Sequence, residues 1–265
     1  MKLFPRYLAA CFLILAGLLL HPTRARAQTD EIQVYDANIA EPGIFNLTWH
    51  NNFIADGAST PAFPGGLIPD KSFNGVTEWA YGVTNWFEAG LYLPLYSISQ
   101  KRGASINGGK VRLLFVKPHA AERTFFYGVN FEFSYNALHW EATHFTSEIR
   151  PIIGWHLHPV DIIVNPILDN SFRGGFKSLD FAPAVRLVYH REKWAVGAEE
   201  YADYGPLRKI LPVERQSQQL YGVFDWYGKT LNVEAGVGFG LTSASDKVTL
   251  KLILSRDLNS HGRTN

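Results

Sequence analysis

The chain has 265 residues, with 25 Lys and Arg against 24 Asp and Glu, and 14% of it is aromatic. So little net charge beside so many aromatics excludes a disordered tail and a basic nucleic-acid-binding module. Cys11 is the only cysteine and Met1 the only methionine, which excludes a disulfide framework and any multi-cysteine zinc or iron–sulfur centre.

Lys2 and Arg6 precede an apolar run of 13 residues, Leu8 to Leu20, followed by Ala25-Arg26-Ala27 and then polar residues. This order predicts a signal peptide over 1–27, cleaved after Ala27, because a spanning helix needs about 18 apolar residues. Its removal takes Lys2, Arg6, Arg24 and Arg26 and no acid, leaving 21 basic against 24 acidic residues in an exported chain without cysteine. No later apolar stretch is long enough for a membrane helix. The exported chain is therefore soluble, or it enters a membrane as a closed β-barrel, the strand architecture that leaves no backbone group unpaired in lipid.

From residue 43 onward the apolar pattern has period two. Phe45, Leu47, Trp49 and Phe53 alternate with Asn46, Thr48, His50 and Asn52. The clearest run is 124–136, where Phe125, Tyr127, Val129, Phe131, Phe133 and Tyr135 alternate with Phe126, Gly128, Asn130, Glu132 and Ser134. Strands are predicted at 43–55, 74–83, 87–99, 107–117, 124–136, 145–157, 161–170, 178–189, 194–202, 216–226, 230–241 and 247–256. Their connections mostly alternate between long and short, with 84–86 tight and 56–73, 100–106 and 203–215 long. An even number of strands, short turns on one side and longer loops on the other match a single antiparallel up-and-down transmembrane β-barrel of about 12 strands. A soluble sandwich or lipocalin-like barrel also alternates, but the chemistry of the two faces speaks against it.

With the apolar set facing lipid, the opposite parity carries Glu78, Glu88, Lys110, Arg112, Glu132, Glu148, Arg150, Asp169, Arg186, Glu199, Asp225, Glu234 and Lys251. These are the candidate lumen and selectivity residues. Laying out the hairpins puts Lys110 near Asn130 and Glu132, Glu132 opposite Glu148 or Arg150, and Arg150 near Asp169, a ladder of opposite charges. Two readings stay open at twelve strands: the charges line a water-filled conduit, or they pair and fill the interior. Inward Gly236, Gly238 and Gly240 lean toward open space, or else mark a bend. Trp79, Tyr81, Trp86, Trp155, Tyr189, Trp194, Trp226 and Tyr227 fall near the short turns, where an interfacial girdle belongs.

No G-x-S-x-G, phosphate loop, dinucleotide fingerprint or calcium loop occurs, so no catalytic residue, metal site or cofactor is assigned. His139 and His144 belong to one end of the barrel and His156 and His158 to the other, too far apart to share a metal.

The hairpin from Glu78-Trp79-Ala80-Tyr81-Gly82 through Asn85-Trp86-Phe87-Glu88 to Pro94 resembles transporter-like outer-membrane barrels grouped with the phenol meta-pathway degradation proteins. Arg150-Pro151-Ile152-Ile153-Gly154-Trp155, Asn165-Pro166-Ile167-Leu168-Asp169 and Phe181-Ala182-Pro183 extend the likeness. The resemblance implies passage of small, often hydrophobic compounds. The chain departs from the usual aromatic ending of such barrels, closing instead on the polar stretch from Asp257 to Asn265.

The resulting expectation has four parts: signal peptide 1–27, a periplasmic segment 28–42, an outer-membrane barrel 43–256 and a polar tail 257–265. It is a monomeric passive channel or transporter in the cell outer membrane. Its partners are outer-membrane lipid and lipopolysaccharide, the barrel-insertion machinery and a small-molecule solute, with no nucleic acid. An outer-leaflet lipid-modifying enzyme and a structural or binding barrel with a plugged lumen are the alternatives.

Overall fold

The computed structural model describes residues 30–172 and 179–259. The expected leader, and the expected tail beyond Asn259, lie outside the described residues.

Alternation builds the wall. In β5 (Phe125–Asn136) the rings of Phe125, Tyr127, Phe133 and Tyr135 are exposed, whereas Phe126, Asn130, Glu132 and Asn136 are buried. Apolar side chains outside and Asn and Glu inside invert the arrangement of a water-soluble sheet and suit a barrel set in lipid. The same inversion holds in β1 (Phe45–Asp56), β2 (Phe73–Thr84), β3 (Phe87–Ser99) and β4 (Gly103–Val116). It continues through β6 (Phe145–His156), β7 (Val160–Asn165) and β10 (Ala184–His190), while the short β8 (Leu168–Asn170) and β9 (Asp180–Phe181) are half-buried throughout. It is completed by β11 (Trp194–Asp203), β12 (Ser217–Tyr227), β13 (Asn232–Gly240) and β14 (Val248–Asp257).

β7 with β8 forms one stave and β9 with β10 another, so the molecule is a closed antiparallel barrel of twelve staves. β1 and β14 close it, with Asn46 opposite Asp257 and Phe53 opposite Leu250. Beyond β14, the Leu258 N–H donates to the Phe45 carbonyl and the Asn259 side chain accepts from the Phe45 N–H, extending this seam.

Two strands expected to be continuous, 161–170 and 178–189, are each broken. The breaks fall at Pro166-Ile167 and Ala182-Pro183, because proline has no N–H to give a ladder. They are neighbours in the wall: Asn165 pairs with Ala184, and the Ala182 N–H donates to the Ile167 carbonyl at 3.0 Å, so the barrel stays closed across them. The connection expected at 100–106 shrinks to 100–102. β4 already starts at Gly103 and pairs with β3 from Ser99 onward, while Gly103, Gly108 and Gly109 hide its alternation.

Turns at 85–86, 157–159 and 191–193 lie at one end, which the outer-membrane pattern assigns to the periplasmic side. Loops 57–72, 137–144 and 204–216 stand at the other. Phe45, Trp79, Trp86, Trp155 and Trp226 are exposed on the exterior toward the turn end.

The segment preceding β1 does not stand outside the barrel, contrary to the expectation for 28–42. The Ile44 N–H donates to the Glu41 carbonyl at 2.9 Å, with Pro42 and Gly43 (φ 84°) at the central positions. This is the type II turn that a Pro-Gly pair favours, glycine supplying the positive φ. It reverses the chain at the turn-end mouth, so residues 30–41 run back up the interior. Ile32, Val34, Tyr35 and Ala37 are buried there, Val34, Tyr35 and Ala37 against Leu114, Phe126, Ile152 and Ile163. Nothing in the segment's own pattern signals this, because it forms no strand and its partners come from across the barrel.

Candidate functional site

All thirteen candidate lumen residues lie on the inward face, and three ionic clusters gather twelve of them. In the first, Arg112 of β4 lies 2.6 Å from Glu78 of β2 and also bridges Glu88 of β3; His50 of β1 lies 3.0 Å from Glu78. Its place on the polar parity of β1 was the available signal for His50.

The second cluster joins the wall to the N-terminal segment. Lys110 Nζ lies 2.9 Å from Asp30, 3.0 Å from Glu132 and 3.5 Å from Glu31. Arg150 donates to Glu148 at 2.6 Å and to the Gln33 carbonyl at 3.0 Å, and lies 3.5 Å from Glu31. Tyr35 is held from all sides. Its hydroxyl is 2.5 Å from that of Tyr92 and donates to Glu132 at 3.2 Å, its ring lies 4.3 Å from the Arg150 guanidinium, and Asn165 receives its N–H and donates to its carbonyl. The sequence reading missed Asp30, Glu31, Tyr35, Tyr92 and Asn165 as lumen residues; only Tyr92 and Asn165 lie on strands whose parity could have shown it.

The third cluster crosses five consecutive staves. Arg186 of β10 bridges Glu199 of β11 and Asp225 of β12 and lies 3.3 Å from Glu234 of β13. Lys251 of β14 bridges Glu199 and lies 2.5 Å from Glu234. The side chains of Glu199 and Lys251 are both fully shielded from solvent. Burying charge this deeply is tolerable only where each carboxylate meets a cation.

Lys110 meets Glu132 and Glu132 stands opposite Glu148, as expected, but the row that results is not a ladder of opposite charges. Glu132 stands opposite Glu148, Glu148 opposite Asp169, and Asp169 opposite Asp180, so four carboxylates follow one another around adjacent staves. Arg150 sits opposite Asn130 and shares a cavity lining with Asp169 without an ion pair to it. It instead reaches along its own strand to Glu148, two residues away, as a long guanidinium side chain can. Like charges directly opposite are unfavourable, and among the described residues only the first two members of this row form an ion pair, with Lys110 and Arg150.

The glycines of β13 do not open space. Tyr221 pairs with Gly238, and a Cβ there would fall 2.3 Å from the Tyr221 ring; one on Gly236 would press on Lys251. The neighbours' side chains use the room.

Two larger cavities stand at the ends of the lumen among the described residues. One of about 350 Å³ lies at the loop end, with Glu132, Glu148, Asp169, Asp180 and Asp203 in its lining beside Phe63 and Trp140. The other, of about 780 Å³, opens at the turn end against Asp36, Asn38, Glu78, Glu88, Arg112 and Lys229. They share no lining residue; the N-terminal segment with the second cluster stands between them. A smaller cavity of about 240 Å³ lies beside the segment, lined by Glu31, Gln33, Arg150 and Asp169. The arrangement presents charged chambers at both ends of a lipid-facing barrel.

The sequence matches no protein-family model and no curated protein. Among solved structures, the barrel is similar to the COG4313 outer membrane channel from Pseudomonas putida F1, with TM-score 0.55 and 10% identity over 86% of this chain and 100% of that one. The NalP autotransporter translocator domain from Neisseria meningitidis superposes with TM-score 0.42 and 10% identity, covering 95% of this chain and 97% of that one. LpxR from Salmonella typhimurium reaches TM-score 0.41 and 7% identity, covering 80% of this chain and 99% of that one. The first of these shows a shared outer-membrane barrel fold and no more; the other two superpositions are too loose to bear on function. The grouping with phenol meta-pathway barrels does not emerge from these comparisons.

Proposed function

We propose that the protein is a passive outer-membrane channel for a small solute, with the lumen charges as its selectivity elements. The observation that carries this reading is the charged lumen itself, with a chamber at each end of a closed barrel. Its electrostatics add a sign. Eight wall carboxylates among the candidates, joined by Asp30 and Glu31, face the five cations Lys110, Arg112, Arg150, Arg186 and Lys251. A narrow, low-dielectric passage with such an excess favours cations and cationic solutes. The Glu78–Pro94 hairpin and the proline-broken staves support the narrower grouping with the phenol meta-pathway barrels, whose implied cargo is small and often hydrophobic. The aromatic edge of the loop-end chamber, Phe63 and Trp140, suits a solute that carries both an apolar body and a positive charge.

The test is the reversal potential of the refolded protein in a planar bilayer under a salt gradient, after heat-modifiable migration has shown that it is folded. Conduction with cation preference supports the reading. Anion preference refutes the proposed role of the lumen charges, and a folded barrel that never conducts under any condition refutes the channel.

A further inference from the structure

From the geometry we infer that residues 30–41 are a tethered, voltage-sensitive plug: the conduit is closed while this segment is seated and opens when the segment withdraws through the turn-end mouth. This rests on the channel reading above and adds the device that controls it.

The manner of attachment is the first argument. The segment adds no strand to the wall. Up to Ala40, its backbone is held by wall side chains: the Asp30 carbonyl accepts from Asn52, Ile32 from Lys251, Gln33 from Arg150, Tyr35 exchanges two bonds with Asn165, and the Ala40 N–H donates to Glu88. Each can be exchanged for water without breaking a ladder of the barrel. Among the described residues, the segment is joined covalently only to β1, through the Pro42-Gly43 turn at the mouth. That turn is the natural pivot, and Gly82 leaves room for the chain to pass: a Cβ there would fall 2.3 Å from the Ala40 and Glu41 carbonyl oxygens.

Charge is the second argument. From Asp30 to Glu41 the segment carries Asp30, Glu31, Asp36 and Glu41 and no basic residue. Its far end lies beside the carboxylate row, held there by Lys110 and Arg150. A potential across the membrane therefore acts directly on it. If Asp30 and Glu31 each traverse about half the field, they amount to about one charge, and the open-to-closed ratio changes about 50-fold per 100 mV. Positive potential on the turn side pulls the segment out; the opposite polarity seats it. A fixed structural filler has no such polarity.

Two measurements on the full-length protein test this. Current is recorded at both polarities from inserted protein of known orientation, first for the parent chain and then for a Tyr35→Ala, Glu31→Gln variant, which weakens the seat without touching the wall. In parallel, Ala37→Cys in a Cys11→Ser background places a lone thiol at a buried position of the segment, and its reaction with a charged maleimide reports withdrawal. While the segment is seated, the introduced thiol should react slowly. The weakened seat should raise both labelling rate and open fraction at least about tenfold, with openings favoured by positive potential on the turn side. Equal and measurable conduction by parent and variant, with unchanged labelling, overturns the plug and leaves the channel standing; no conduction by either overturns both. Fast labelling without current shows that the wall's own side chains close the lumen, and removes both readings. Openings indifferent to polarity in the parent chain overturn the plug without recourse to any variant.

Discussion

The two halves of the lumen wall handle buried charge in opposite ways. On β10 to β14, Arg186 and Lys251 interleave with Glu199, Asp225 and Glu234, so each carboxylate has a cation in contact. On β5 to β9, register sets Glu132, Glu148, Asp169 and Asp180 side by side, and the last two have no cation in hydrogen-bond reach among the described residues. The first half is closely paired, with Glu199 and Lys251 fully shielded from solvent, and its ions serve as packing. The second lines the loop-end chamber, where water can screen it, and its unbalanced charge is available to act on a solute. The same residue types thus make a filler in one half and a field in the other, and the difference lies in whether the cations were placed between the acids.

The strongest challenge to this contrast removes one member of the packed half. Glu199→Ala leaves Arg186 and Lys251 short of a counter-charge in a dry environment, and should cost about 3–5 kcal/mol of stability; urea titration of the refolded protein in vesicles measures it, and a loss below about 1 kcal/mol would dissolve the distinction between the halves. Gly238→Leu comes next. It drives a side chain into the Tyr221 ring, and should cost about 1–3 kcal/mol by the overpacking it imposes, seen as a lower unfolding midpoint with conduction retained. In the acidic half the effect should move from stability to selectivity. Asp169→Asn removes a like-charge neighbour of Glu148 and Asp180, so stability should hold or rise slightly while the reversal potential shifts toward lower cation preference; a large destabilisation would mean the row is packed after all. Smallest of all is Asp56→Asn. Its ion pair with Lys247 is largely exposed at the loop end, and its loss should be worth about 0–1 kcal/mol.

The strand pattern made the wall legible because each residue's parity sorts it to one face whatever its distant neighbours are. Phe125, Tyr127 and Phe133 against Asn130 and Glu132 place themselves, and all thirteen lumen candidates came from that one rule. Proline punctuation carried less: Pro166 and Pro183 were visible, but whether each would end a strand or bend it depended on the neighbour across the break. The glycines of β13 misled for a related reason. Their missing volume could be seen, but the Tyr221 ring that fills it belongs to another stave.

The lipid-facing barrel and its inward set of charges were written in the chain, since both follow from local order and period two. Which charges meet, and what stands between the two chambers, waited on the folded barrel. Register fixed Glu132, Glu148, Asp169 and Asp180 as neighbours, and register is a property of strand pairs. The interior course of residues 30–41 was set by Asn165, Arg150, Lys251 and Glu88, which come from four different staves and converge only once the barrel has closed. A segment without periodicity, held by side chains far away in sequence, leaves no local signature of where it lies.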